Sequence, residues 1–185
     1  MLTAFQKRKL MKLFSMYDAQ NLGVLKLADF EQLAQRLAAL RGWKPGTPAY
    51  ENNLSQYLLL QWNRMRAAIK QKLHHAKDSC VSLEEWFAYY NIVLNDKTYQ
   101  EELKLLTEAV FYVVDADESG QLDKGEWTAL FRVYNLPVIY VDETFARIDR
   151  DGDGVLSKEE VLSTFQVFLY SNEPEQAGNY MFGPI

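Results

Sequence analysis

Several things are scarce in this chain, and each scarcity excludes something. One cysteine, Cys80, in 185 residues rules out an internal disulfide framework. Its solitude suits a reducing compartment, so a cytoplasmic location is expected. No stretch approaches the run of about 18 apolar residues that spans a bilayer. The first residues, MLTAFQKRKLMKLF, are basic but lack both a continuous apolar region and a small-residue cleavage site. They read as mature protein and carry no glycine after Met1 for myristoylation, so no membrane anchor is expected. Histidine occurs only twice, as the adjacent pair His74 and His75. Neighbouring side chains point apart, and no Cys or acid cluster completes a zinc site beside them. With no phosphate loop, nucleophile motif or His/Cys constellation, an enzyme is not expected.

What is present describes a globular chain: 48% hydrophobic and 14% aromatic residues are enough for a sizeable core. The net charge of −5 conceals an asymmetry. Met1 to Lys97 holds 14 basic and 8 acidic residues, a balance of +6, whereas Thr98 to Tyr170 holds 6 and 15, a balance of −9. Opposite halves favour docking on each other and concentrate cations at the second half. No nucleic-acid partner is expected, and a monomer is.

The acidic half contains DRDGDGVLSKEE, Asp149 to Glu160. Carboxylates packed this closely repel one another unless a cation sits among them. Hard divalent ions take oxygen ligands, and calcium accepts about 6–8 of them at roughly 2.3–2.6 Å. Counting Asp149 as position 1, side-chain oxygens fall at positions 1, 3 and 5 (Asp149, Asp151, Asp153), 9 (Ser157) and 12 (Glu160). The backbone carbonyl of Val155 serves position 7, and Gly154 supplies the sharp turn at position 6. The same spacing occurs 34 residues earlier in DADESGQLDKGE, with Asp115, Asp117, Ser119, Gln121 through its carbonyl, Asp123 and Glu126. Leu122 and Leu156 share position 8. Two Ca2+ ions are expected, with Mg2+ as a competitor.

Apolar residues at helical spacing flank both loops: Val110, Phe111 and Val114 before the first, and Trp127, Leu130, Phe131 and Tyr134 after it. Val141, Phe145 and Ile148 precede the second, and Val161, Phe165 and Phe168 follow. Two looser copies fit the basic half. Asp18 to Asp29 keeps Gly23 at position 6 and Leu25 at position 8, but Leu22 and Lys26 replace oxygen ligands at positions 5 and 9. The other copy ends at Glu85 and places His74, Ala76 and Asp78 at positions 1, 3 and 5, with Val81 at position 8. Neither is expected to bind calcium usefully. Between them RGWKPGTP breaks the chain, Thr47 and Pro48 read as N-cap and N1, and a long helix is expected over roughly 48–73.

Two matched twelve-residue loops between amphipathic helices resemble the EF-hand superfamily. Four units, a stretched first pair, dead loops and an aromatic core resemble in particular the sarcoplasmic calcium-binding proteins and their calerythrin-like bacterial relatives. The ending SNEPEQAGNYMFGPI looks like their terminal segment. The resemblance implies an all-α fold of four helix–loop–helix units in two packed lobes, with short β-bridges between paired loops. The expected divisions are 1–97, a pair with degenerate loops; 98–171, a calcium-competent pair; and 172–185, a tail packed on the body through Tyr180, Met181 and Phe182. The resemblance implies a calcium buffer. The absence of methionine between Thr98 and Tyr170 also argues against the Met-rich groove of a sensor. A sensor switching a protein partner and a calcium-controlled carrier of an apolar ligand stay open as alternatives.

Overall fold

A computed structural model describes residues 1–72 and 79–185. The readings placed on His74, His75, Ala76 and Asp78 lie outside the described residues. Helices α1 (Ala4–Tyr17) and α2 (Leu27–Ala39) flank the first loop. A helical rod follows, made of one α turn (α3, Pro48–Tyr50), a π-helical stretch (Glu51–Ser55) and α4 (Gln56–Lys72). Helix α5 (Leu83–Val93) leaves the second loop. Helices α6 (Lys97–Val114) and α7 (Lys124–Val133) then form the third hand, and α8 (Val141–Ile148) and α9 (Lys158–Tyr170) the fourth.

Two-residue strands pair the hands. Strands β1 (Val24–Leu25) and β2 (Val81–Ser82) run antiparallel with Leu25 opposite Val81. Strands β3 (Gln121–Leu122) and β4 (Leu156–Ser157) repeat the arrangement with Leu122 opposite Leu156. Position 8 thus bridges both pairs, as the resemblance implies, and its side chain is buried each time.

Position 12 of each loop has a second duty. Glu85, Glu126 and Glu160 are the third residues of α5, α7 and α9, and each accepts a hydrogen bond from the backbone N–H of the N-cap three residues before it, Ser82, Asp123 or Ser157. Those N-cap side chains accept in return from the glutamate N–H, closing a capping box. Asp29 makes the same bond to Lys26 N–H at 2.6 Å, although a lysine cannot reciprocate as acceptor. The next residue in each case, Phe30, Trp86, Trp127 or Val161, enters the core.

One buried cluster runs through both lobes, from Leu10 and Phe14 to Phe168 and Phe182. Its indoles are anchored: Trp86 Nε1 donates to Leu10 O at 2.9 Å, tying α5 to α1, and Trp127 Nε1 donates to Thr144 Oγ1 at 3.0 Å, tying α7 to α8. Thr47 caps the rod through Tyr50 N–H, with Pro48 at its first position as expected. The π-helical stretch is not foreseen by the sequence pattern. It inserts an extra residue where Asn52 and Asn53, poor helix formers, replace stronger ones. Leu54, Leu58, Met65 and Ile69 nevertheless all reach the core. Among the described residues, no helix is long and apolar enough to cross a membrane.

The tail forms a 3-10 turn (Ala177–Tyr180) against α9. Met181 and Phe182 are buried, and Phe182 lies edge-on to Phe168 with ring centres 5.1 Å apart. Tyr180 differs from expectation: it is half-buried, with the Arg147 guanidinium 4.2 Å above its ring. A ring in that position stays at the surface, where a cation reaches its face. Two straps come from α1. Lys12 Nζ donates to Pro184 O at 2.5 Å, and the buried Lys9 Nζ donates to Ser171 O at 2.6 Å and to Asn179 Oδ1 at 2.9 Å.

Two outcomes follow from the tail. A Cβ at Gly178 would stand 2.6 Å from Val167 Cβ and 3.0 Å from Thr164 O. Gly178→Ala is expected to lower stability by about 1–3 kcal/mol in denaturant unfolding and to expose apolar surface to a hydrophobic dye. Burial lowers the Lys9 ammonium pKa from its usual 10.5 to about 8. The folded state therefore sheds this proton first, so the contribution of Lys9 to stability rises as pH increases above about 8 and is lost as pH falls through that value. Its neutral amine still has donors for both oxygens. Comparing unfolding of the wild type and Lys9→Met between about pH 7 and 9.5 should show the wild type gaining relative to the variant.

Candidate metal centre

Each acidic loop starts where a helix loses its backbone partners. Asp115 N–H still donates to Phe111 O at the end of α6, and Asp149 N–H to Phe145 O at the end of α8. From there the loop folds around its first aspartate. Asp115 Oδ1 accepts from Ser119 N–H at 2.9 Å, and Oδ2 from Gly120 N–H at 3.0 Å. Asp149 accepts from Gly152 N–H at 2.8 Å and Gly154 N–H at 3.1 Å. The turn requires left-handed backbone at positions 4 and 6: Glu118 (φ 61°) and Gly120 (φ 81°) in one loop, Gly152 (φ 74°) and Gly154 (φ 86°) in the other. Glycine suits that conformation, whereas glutamate does not.

The closing glutamates bind the same two places in each loop. Glu126 Oε1 accepts from Ala116 N–H at 2.7 Å and its Oε2 from Asp123 N–H at 3.0 Å. Glu160 Oε1 accepts from Arg150 N–H at 2.8 Å and its Oε2 from Ser157 N–H at 2.9 Å. Each carboxylate thus bridges positions 2 and 9, pulling the end of the loop back to its start.

Oxygens of Asp115, Asp117 and Glu126 come within 4.8 Å of one another, as do those of Asp149, Asp151 and Asp153. Asp123 serves as N-cap of α7, with Oδ1 accepting from Glu126 N–H, while Ser119 Oγ lies 3.0 Å from Gln121 O, joining positions 5 and 7. In the other loop Val155 N–H donates to Asp153 Oδ1, and Ser157 caps α9. Glu160 stands apart from the three-aspartate group, although it accepts the same two backbone bonds as Glu126. Each loop therefore gathers three carboxylates, with a fourth, Asp123 or Glu160, engaged beside them by backbone N–H groups. That donor set is all hard oxygen, and it fits calcium or magnesium rather than a thiolate- or imidazole-seeking metal.

Two of these carboxylates are shifted toward the ionised form. Hydrogen bonds from the side chain and backbone of Ser119 hold the exposed Asp117 below the usual carboxylate range. For Glu160, burial alone would favour the protonated form, but bonds from Arg150 N–H and from the side chain and backbone of Ser157 outweigh it and lower its pKa.

The first loop of the chain retains the frame without the ligands. Asp18 accepts from Leu22 N–H at 2.9 Å and Gly23 N–H at 2.7 Å, and Asn21 (φ 53°) and Gly23 (φ 72°) repeat the left-handed positions. Leu22 and Lys26 occupy the places where the acidic loops offer oxygen.

Sequence spacing alone does not reveal two arginines beside the third hand. Arg41 NH1 donates to Asp115 O, its NH2 lies 2.5 Å from Glu118 Oε1, and Arg36 NH1 donates to Val133 O at 2.7 Å. The sequence separations are 74, 77 and 97 residues, far beyond any local periodicity. Only Gly42, directly after Arg41, hints that a helix ends there.

Residues 107–131 and 141–165 match the EF-hand family model described as "EF hand". Calerythrin from Saccharopolyspora erythraea is 22% identical over 173 residues, covering 92% of this chain and 95% of that protein. A sarcoplasmic calcium-binding protein from amphioxus shares the fold, with a TM-score of 0.74, 19% identity and 100% of both chains covered. Coelenterazine-binding protein from Renilla muelleri, in its calcium-loaded apo form, gives a TM-score of 0.67 at 20% identity, again over 100% of both chains. With two acidic loops of matching geometry inside the matched segments, the chain carries two EF hands suited to calcium and shares its fold with a sarcoplasmic calcium-binding protein.

Proposed function

We propose that the protein is an intracellular calcium buffer that binds two Ca2+ ions in its C-terminal pair of hands. Asp115, Asp117, Ser119, the Gln121 carbonyl, Asp123 and Glu126 hold one ion; Asp149, Asp151, Asp153, the Val155 carbonyl, Ser157 and Glu160 hold the other. The N-terminal pair serves as scaffold. The observation that carries this reading is the repetition of one loop geometry twice, with four carboxylates each time.

The buffer reading is supported by what fills the C-terminal groove. Met181 and Phe182 already occupy it, packed against rigid aromatic rings rather than a flexible methionine surface. An apolar cavity remains at the meeting of the lobes, lined in part by Tyr17, Tyr90, Phe111, Tyr134 and Met181, but its volume is about 60 Å3. That space suits a few water molecules, whereas sites for drug-sized ligands run to roughly 300–1,000 Å3. The carrier alternative, a property named for the Renilla protein, is therefore disfavoured.

Calorimetric titration of chelator-stripped protein is expected to give two calcium sites, both weakened when millimolar Mg2+ is present, with little gain in hydrophobic-dye fluorescence. Strong new dye binding would instead identify a sensor. Glu126→Gln and Glu160→Gln should each weaken one site by at least about 10–100-fold and leave the other titratable. Loss of fewer sites than this would remove the corresponding loop from the assignment.

A further inference from the structure

Helix α2 belongs to the lobe whose own loops have lost their ligands, yet it touches both ends of the third hand. It stops in a Schellman turn: Trp43 N–H donates to Ala38 O at 3.0 Å and Gly42 N–H to Ala39 O at 3.2 Å, with Gly42 left-handed at φ 65°. This turn places Arg41 and Trp43 side by side, facing the end of α6. The Arg41 guanidinium faces two neighbouring rings, with Trp43 centred 5.4 Å away and Tyr112 5.2 Å away, the rings themselves 6.1 Å apart. Its side chain is only 8% exposed. Its nitrogens reach Asp115 O at the C-terminal end of α6 and Glu118 at position 4 of the loop. Arg36, five residues earlier on α2, donates to Val133 O at the C-terminal end of α7. Both helices of this hand therefore end on an arginine of the other lobe, at the electrically negative end where a cation is favoured.

Position 4 gives an independent reason for a brace. Asn21 and Gly152 occupy it in the other two described loops, and both residue types tolerate left-handed backbone. Glu118 does not, and of these three residues it is the one held by a cross-lobe ion pair. A nearby positive charge by itself would repel calcium, but here Glu118 offsets it, and the guanidinium fixes the carbonyl of the first ligand residue and the backbone turn between positions 1 and 6.

We infer that Arg41, supported by Arg36, is a positioning residue for the third-hand calcium site, so that this site's affinity is set by docking of the N-terminal lobe. The inference rests on the reading of 115–126 as a calcium loop. By linkage, calcium at that loop tightens the docking by the same factor that docking tightens calcium binding. Among the described residues, no arginine of the first lobe makes the corresponding contact to the fourth-hand loop, so the two sites differ in their dependence on that lobe.

The test uses full-length protein carrying Glu160→Gln, which leaves the 115–126 loop as the reporting site. Arg41→Lys keeps the charge but not the fork or the ring stacking; Arg41→Met removes both. Calcium titration and chelator-triggered release are each expected to show binding roughly tenfold weaker in both variants, with the loss in faster release. In the complementary Glu126→Gln background the same substitutions should change affinity less than about twofold. Tighter binding in Arg41→Met with no change in Arg41→Lys would overturn the inference, reducing Arg41 to a repelling charge. Equal losses in the two backgrounds would also overturn it, marking a general loss of stability. Absence of calcium binding in Glu160→Gln with Arg41 intact would refute the loop assignment itself, an outcome distinct from failure of the brace.

Discussion

Everything in the acidic half depends on one carboxylate performing two jobs. The last residue of each calcium loop is also the third residue of the outgoing helix, so the group that closes the loop also satisfies a helix N-terminus. Glu126 and Glu160 each span positions 2 and 9 through backbone N–H groups, so the loop is drawn shut by hydrogen bonds that need no ion. What those bonds leave unsettled is charge. Like charges crowded on one short turn are further relieved by a cation, and the all-oxygen donor set makes a hard divalent one the suitable answer.

The two pairs of hands are joined by a continuous core rather than by a linker. Trp86 and Trp127 follow the closing glutamate in their respective hands, each has its indole N–H satisfied, and each ties its helix to the partner hand. Aromatic rings of this size lock the helices by shape, and their fixed rotamers leave little freedom for the groove to remodel around varied partners. The tail completes the same surface, using Met181 and Phe182 as part of the core and α1 lysines as fastenings.

Much of this was legible because the controlling signals are local. Twelve-residue spacing, glycine at position 6 and a leucine at position 8 identify the loops and their pairing, and Thr47 with Pro48 marks a helix start. The π-helical stretch escaped because hydrophobic periodicity tolerates an inserted residue: Leu54 and Leu58 still face inward on either side of it. The sequence groups Tyr180 with Met181 and Phe182 as packing residues, but Arg147, whose guanidinium covers its ring, comes from another helix. Arg36 and Arg41 carry no pattern, since their main-chain acceptors are groups every residue possesses and the one side-chain partner, Glu118 for Arg41, lies 77 residues away.

The ligand-poor loop at Asp18 has a consequence for the molecule as a thermodynamic object. There the N–H groups of Leu22 and Gly23 donate to the first aspartate, and Asp29 closes the turn on Lys26 N–H, with an apolar side chain and a lysine in place of two oxygen ligands. That hand holds its shape with chain atoms alone. The shape of that loop is thus set by the sequence alone, whereas the acidic loops answer to sequence and solution together, and one continuous core joins the two.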